Sequence, residues 1–365
     1  MKHWLASVTI VLIASAAIGA EDDELEMVQS LSIPDLFQTW NVAAAQDGPF
    51  VYATASMAGA ITIFKRDSTS GQLSLLDTIK EPEVSGPVRL NLSPDGKYAA
   101  VCDQGLSLAT IFKRDPASGK LVKLVSTPDR LSGIVETLFS PDNRYFYTAS
   151  TAGLSVFRLE GEALSLIETQ SGDGRFKGMR PFVASPDAHW IYTVAEQSAT
   201  VGVFRRDEAT GKVEAIQFIK NGDDGIENLA GAFRLDVSSD GKNLYVSSGR
   251  NMGDQAVSVF AIQADGQLKL LQQFINGKDD FEEFEGGNEL KVSPDGKWVY
   301  VVASESDRLF RFARDASTGK LTFLSSQQAG IFTEKGAASL TFSPDCKFIY
   351  IADQAENAIE VYKVH

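Results

Sequence analysis

The chain has 365 residues and a formal charge of −14, with 34 Lys and Arg against 48 Asp and Glu. Binding to nucleic acid or to anionic membranes depends on clustered Lys and Arg, so a surface this acidic argues against both and instead attracts cations. With two cysteines and three histidines, the chain holds neither a dense disulfide framework nor a haem-attachment sequence.

Residues 1–20 read as a secretory signal peptide. Met1-Lys2-His3 is a short basic start, Trp4 to Ala17 is mostly apolar, and Ile18-Gly19-Ala20 precedes the acidic Glu21-Asp22-Asp23-Glu24. The apolar run is too short and too weakly flanked for a spanning helix. Its removal takes away one Lys and no acid, which makes the mature protein more acidic still. The expected location is the periplasm or the medium, with residues 21–365 forming one domain.

Next comes LEMVQSLSI (25–33), a strand with no partner beside it in sequence. After it, one phrase recurs seven times: a hydrophobic strand, a Ser-Pro-Asp-Gly turn or a variant of it, and a second strand. The copies are AQDGPFVYA, SPDGKYAAV, SPDNRYFYT, SPDAHWIYT, SSDGKNLYV, SPDGKWVYV and SPDCKFIYI. Their aspartates are Asp47, Asp95, Asp142, Asp187, Asp240, Asp295 and Asp345, spaced 48, 47, 45, 53, 55 and 50 apart. Seven copies at this period predict an all-β, seven-bladed β-propeller with four-stranded blades. Within each copy, Pro and Asp shape the a–b turn and Gly takes its strained position. Strand c follows with alternating polarity, as in ITIFKRD (61–67), and a second turn at Gly (KRDSTSGQL, RRDEATGKV) leads to strand d. The last copy stops after strand c at IEVYKVH (359–365), so the N-terminal strand 25–33 is expected to complete blade 7 and close the ring. Cys102 and Cys346 then lie in blades 2 and 7 at different heights and are expected to be free thiols.

Strand a is innermost, and its phase predicts what lines the channel. Five and three residues before each turn aspartate the side chains are almost all apolar (Val42/Ala44, Leu90/Leu92, Leu290/Val292), which suits packing between blades. Six and four residues before it they are mostly polar: Arg89/Asn91, Glu136/Leu138, Arg234/Asp236, Glu289/Lys291. Arg89, Glu136, Arg234 and Glu289 therefore ring the channel, either as a wall of compensating charges or as a binding site for a small organic anion. The d–a and b–c loops share one face, which carries Asp103, Glu196, Ser248, Arg250, Glu305 and the longest connections, 169–179, 220–232 and 276–288. Long loops on a rigid scaffold usually carry function, so this mouth is the expected site. The acidic residues there (Asp223, Asp224, Glu227, Asp279, Asp280, Glu282, Glu283, Glu285) match no calcium-loop spacing and read as a solvated charge run; neither a metal nor a cofactor is assigned.

The repeat as a whole, SPDGK-x-x-Y-V followed by VFxRDxxTGKL, resembles the lactonase-like seven-bladed propellers of the 6-phosphogluconolactonase and carboxy-muconate cycloisomerase type, over essentially the whole mature chain. In catalytic members, arginines, a glutamate and a histidine meet at the loop-rich mouth. By this resemblance GMRPFVASPDAHWIYTVAE (178–196) offers Arg180 and Glu196, and GAFRLDVSSDGKNLYVSSGR (231–250) offers Arg234 and Arg250. Two departures stand out. The family's histidine is replaced by Val135-Glu136, and Arg180 lies one residue out of phase with the channel-facing set. His3 leaves with the signal peptide, His189 sits in an a–b turn on the other face, and His365 is the last residue. Hydrolysis of a sugar- or aromatic-derived lactone would then rest on Arg234 and Arg250 binding the substrate anion and polarising its carbonyl. Glu196, aided by Glu136, would activate water. The alternative is a non-catalytic propeller that offers its mouth to a protein or polysaccharide partner, for which an exposed apolar patch would be the sign. In either case a monomer is expected.

Overall fold

The serine of the repeated turn makes two bonds at once. Ser93 Oγ donates to Asp95 Oδ1 (2.8 Å) and accepts the Tyr98 amide (2.9 Å), while Asp95 Oδ1 also accepts the Lys97 amide (3.1 Å). The same set recurs around Ser140, Ser238, Ser293 and Ser343. A local side-chain cap thus replaces backbone pairing where the chain reverses, which is why the phrase is so regular. The first copy has Ala45 in place of serine and keeps only the backbone bond from Ala45 N to Phe50 O (2.9 Å).

In the computed structural model, the described residues are 9–11, 25–151, 153–171, 174–175, 177–249, 253–329 and 336–365. They form seven antiparallel sheets arranged as blades. Blade 2, for example, is built from strand a (Pro87–Leu92), b (Tyr98–Asp103), c (Leu108–Arg114) and d (Leu121–Ser126). Blade 7 takes strands a to c from Ala337–Phe342, Phe348–Asp353 and Ala358–Lys363, and its fourth from Glu26–Ser32. Ser30 lies opposite Glu360 and Leu31 opposite Ile359, so the two ends of the chain close the ring as the orphan strand implied. Thr9–Val11, within the expected signal segment, adds a fifth strand on the outer edge of this blade; the other residues of that segment lie outside the described residues. Among the described residues no helix is long and apolar enough to cross a membrane.

The apolar face of strand a packs between blades. Leu90 sits with Phe50 and Tyr52 of blade 1 and with Val101 and Phe112 of its own blade, and Leu290 joins Tyr245 and Val257 of blade 5. A polar clasp joins neighbouring blades as well. Tyr245 Oη donates to Gly319 O (3.0 Å) in the c–d turn of the next blade and accepts from Arg314 Nε (2.7 Å), while Arg314 reaches back to Asp240 (2.8 Å). Tyr52 with Arg114 and Asp47, and Tyr147 with Arg206, repeat it. Both cysteines are free thiols.

Candidate active site at the channel mouth

Simple alternation would turn Arg180 away from the channel, and a backbone irregularity corrects this. The register of strands a and b shifts by one residue between Met179 and Phe182 in blade 4, and likewise between Pro87 and Arg89 in blade 2 and between Gly287 and Glu289 in blade 6. A bulge of this kind re-aims the side chain it carries. Arg180 occupies that position and meets Glu196, the first residue after strand b (Trp190–Ala195) of the same blade. Arg180 Nε donates to Glu196 Oε2 at 2.5 Å and its Nη2 donates to the same oxygen. Glu196 is buried, while the Arg180 side chain keeps 26% of its surface exposed at the mouth.

Phe233 holds the same position in blade 5, just before strand a (Arg234–Val237). The guanidinium carbons of Arg180 and Arg234 stand 4.7 and 4.5 Å from its ring centroid. Each cation is attracted by the quadrupole of the ring, which helps to hold the two at one place. Arg234 Nε lies 3.6 Å from Glu289, whose Oε2 also accepts from Arg89 Nη1 at 2.9 Å. Arg89 Nε forms an ion pair with Glu136 at 2.8 Å, and the other Glu136 oxygen accepts from Asn91 Nδ2. The predicted ring of Arg89, Glu136, Arg234 and Glu289 is thus one connected network. Counted with Arg180 and Glu196 it holds three arginines and three glutamates.

Burial sets the protonation of this network. Burial alone would raise the Glu289 carboxyl, but the charges of Arg89, Arg234 and Lys291 outweigh it and hold it below the usual glutamate range. Burial opposes the charge of Arg89 too, and its two glutamates more than restore it. Arg89, 7% exposed, is therefore committed to Glu136 and Glu289 as a structural cation, and Glu136 is bound to Arg89 and Asn91. Arg180 and Arg234 stand nearer the opening. Arg250 lies outside the described residues.

One space adjoins the network and a second lies further out on blade 4. A cavity of about 200 Å³ runs inside the channel from Arg89, Glu136, Arg234 and Lys291 towards Pro94 and Phe139 at the a–b turn end. A wider groove of about 570 Å³ opens beside Gln197 and Ser198, lined also by Arg175, Lys177 and Lys220. Elsewhere at the mouth, Asp103 accepts the amides of Ser85 (2.7 Å), Gly86 (3.0 Å) and Leu106 (2.8 Å), and so holds a turn. In the acidic loop 276–288, Glu283 pairs with Arg308 (2.9 Å) and Phe281 and Phe284 are fully buried. Sequence reasoning passed over Phe233, although its place one residue before Arg234, matching Arg180 one blade earlier, carried the signal.

The family described as lactonase, seven-bladed β-propeller, matches residues 12–135 and 136–330. A probable 6-phosphogluconolactonase of Arthroderma benhamiae is 31% identical over 147 residues, covering 39% of this chain and 35% of that protein. The 6-phosphogluconolactonase of Pectobacterium carotovorum is 25% identical over 224 residues, 60% of each chain. The chain thus matches between 35% and 60% of the length of these curated relatives. Among solved structures, the periplasmic gluconolactonase of Pseudomonas aeruginosa superposes with a TM-score of 0.65 at 23% identity, over 80% of this chain and 85% of that one. A Lactobacillus plantarum protein superposes with a TM-score of 0.68 at 22% identity, over 82% and 86%. These likenesses show a common fold. With the family matched along most of its length and all seven blades in place, the chain belongs to the lactonase family of seven-bladed β-propellers.

Proposed function

We propose that this protein is an exported hydrolase of a small anionic lactone, acting at the mouth over blades 4 and 5. The observation that carries this reading is the Arg180–Glu196 pair set against Phe233 and Arg234, which brings a carboxylate and two guanidinium groups to one opening. Glu196 takes a proton from a water molecule whose oxygen attacks the lactone carbonyl carbon. The oxyanion that forms is stabilised by Arg180 and Arg234, and the ring C–O bond breaks as Glu196 returns the proton to the leaving alkoxide. One water is consumed and one hydroxy acid is released. Arg180 and Arg234 at this opening favour a substrate that carries a carboxylate or phosphate. The signal-like segment 1–20 supports export, and a P. aeruginosa structure of the same fold is described as a periplasmic gluconolactonase. Among the described residues the large exposed apolar side chains at the mouth are Phe37 and Met57, with the others on outer strands, so no broad patch there speaks for a docked partner.

The test is a pH-indicator screen of purified mature protein against γ- and δ-lactones, with and without a carboxylate or phosphate. Glu196→Gln is expected to lose roughly 10²–10⁴-fold in turnover while its near-UV circular dichroism stays that of a folded propeller. A folded wild type that leaves the whole panel intact would move the weight to partner binding. Full activity in Glu196→Gln would remove Glu196 from the chemistry.

A further inference from the structure

Away from this network, four carboxylates converge at the seam between blades 6 and 7. Asp353 ends strand b of blade 7, Glu356 lies in the loop after it, and Glu360 sits on strand c. One oxygen from each lies within 4.8 Å of the others. Asp307, on the b–c loop of blade 6, stands close enough to feel the charges of Asp353 and Glu356. Glu360 and Asp353 are fully buried and Asp307 is 4% exposed.

Burial of this kind requires partners, and here some are missing. Asp353 Oδ1 accepts the Glu356 amide (2.9 Å) and Glu360 Oε2 accepts from Tyr362 Oη (2.9 Å). Asp353 Oδ2 and Glu360 Oε1 make no hydrogen bond, and Asp307 is approached by the backbone amides of Gly336 and Ala337. Among the described residues no lysine or arginine pairs with Asp307, Asp353 or Glu360. Burial, reinforced by the neighbouring carboxylates, pushes Asp307 up to about 7 and Asp353 to about 6, and raises Glu360 well above the usual range. The two buried oxygens Asp353 Oδ2 and Glu360 Oε1 thus lack a partner among the described residues, and a proton or a cation would satisfy them.

The geometry points to a binding site for a hard divalent cation, calcium, held by Asp353, Glu356 and Glu360 of blade 7, with Asp307 of blade 6 adding its charge nearby. Calcium takes oxygen ligands at about 2.3–2.6 Å, so ligands on opposite sides of one ion stand about 4.6–5.2 Å apart, close to the spread of these atoms. All donors are carboxylates, the ligand type that hard cations prefer over softer metals. The position adds a structural role. Glu360 faces Ser30 of the N-terminal strand, so an ion here would brace the blade that closes the ring.

The mature protein, stripped with EDTA and exchanged into metal-free buffer, is titrated with CaCl₂ by calorimetry and melted with and without it. The expected result is one calcium per chain and a melting temperature raised by at least about 3 °C at saturation. In Glu360→Gln and Asp353→Asn, calcium binding is lost, while the metal-free melting temperature rises because a buried repelling charge has gone. Near-UV circular dichroism of each variant shows whether the fold is kept, so that one misfolded variant still leaves the other decisive. A wild type with neither heat of binding nor a thermal shift overturns the inference. Unaltered binding in both variants overturns it too, since the ion would then sit elsewhere. Neither readout depends on lactone hydrolysis.

Discussion

Arg89 is buried at the wall of the channel cavity and owes its charge to Glu136 at 2.8 Å and Glu289 at 2.9 Å. Removing one member of a buried network leaves uncompensated charge in a poorly solvated place, which costs far more than the pair's net contribution. Arg89→Met is therefore expected to lose about 3–5 kcal/mol of stability by urea unfolding. A loss under about 1 kcal/mol would show that water reaches the two glutamates. Residue type and strand phase made this ring legible in the sequence. They did not separate Arg89, which is structural, from Arg180 and Arg234, which face the mouth. The bulge between Met179 and Phe182 is what turns Arg180 towards Glu196, and a one-residue register shift leaves no trace in composition.

At the level of strands and turns, the recurring Tyr, Arg-Asp and Gly form one clasp between adjacent blades. Tyr245 Oη serves both Gly319 O and Arg314, whereas Tyr300 Oη has no partner, because the next blade ends in Tyr362-Lys363 with no Arg and no Gly turn. Tyr245→Phe should cost about 1.5–3 kcal/mol, since it leaves the buried Nε of Arg314 without its acceptor, and Tyr300→Phe should lie within about 0.5 kcal/mol of the wild type. Equal effects in chemical denaturation would show that the clasp adds nothing beyond ring packing. The a–b turns predict a pH dependence. Partial burial works against Asp95 and Asp142, but the Lys97 amide and ammonium in the first case, and the Ser140 hydroxyl and Arg144 in the second, bring both from 3.8 to about 2. A carboxyl held lower in the folded state stabilises fully above its unfolded value, and that contribution disappears as pH falls from about 4 to about 2. Both side chains are partly exposed, so each effect is screened and modest. Urea midpoints should fall between pH 5 and pH 3, and less steeply in Asp95→Asn/Asp142→Asn. The same slope in the double variant would place the acid sensitivity elsewhere.

For the molecule as a whole, stability depends on closure. Glu26–Ser32 pairs along the full length of Ala358–Lys363, and Leu31 joins Ile359 and Val361 in the core of that blade. A mature form lacking residues 21–33 would expose strand c of blade 7 as an open edge, ready to pair with another chain. Such a form is expected to unfold at lower temperature and to elute as oligomers in size-exclusion chromatography. A monomer with wild-type melting would show that three strands suffice for blade 7.

The chain by itself determined the number of blades, the seam that closes them and the two faces of the innermost strand, because these follow from a period of about fifty residues and from two-residue alternation, both local properties. Only the tertiary structure decided which charges are spent on each other and which meet the mouth. It also brought Asp307 to Asp353 and Glu360 across a blade boundary, a meeting of residues far apart in sequence that no local pattern records. Spacing along a chain reports what one strand or turn does, whereas the environment of a charge depends on every neighbour that folding places around it.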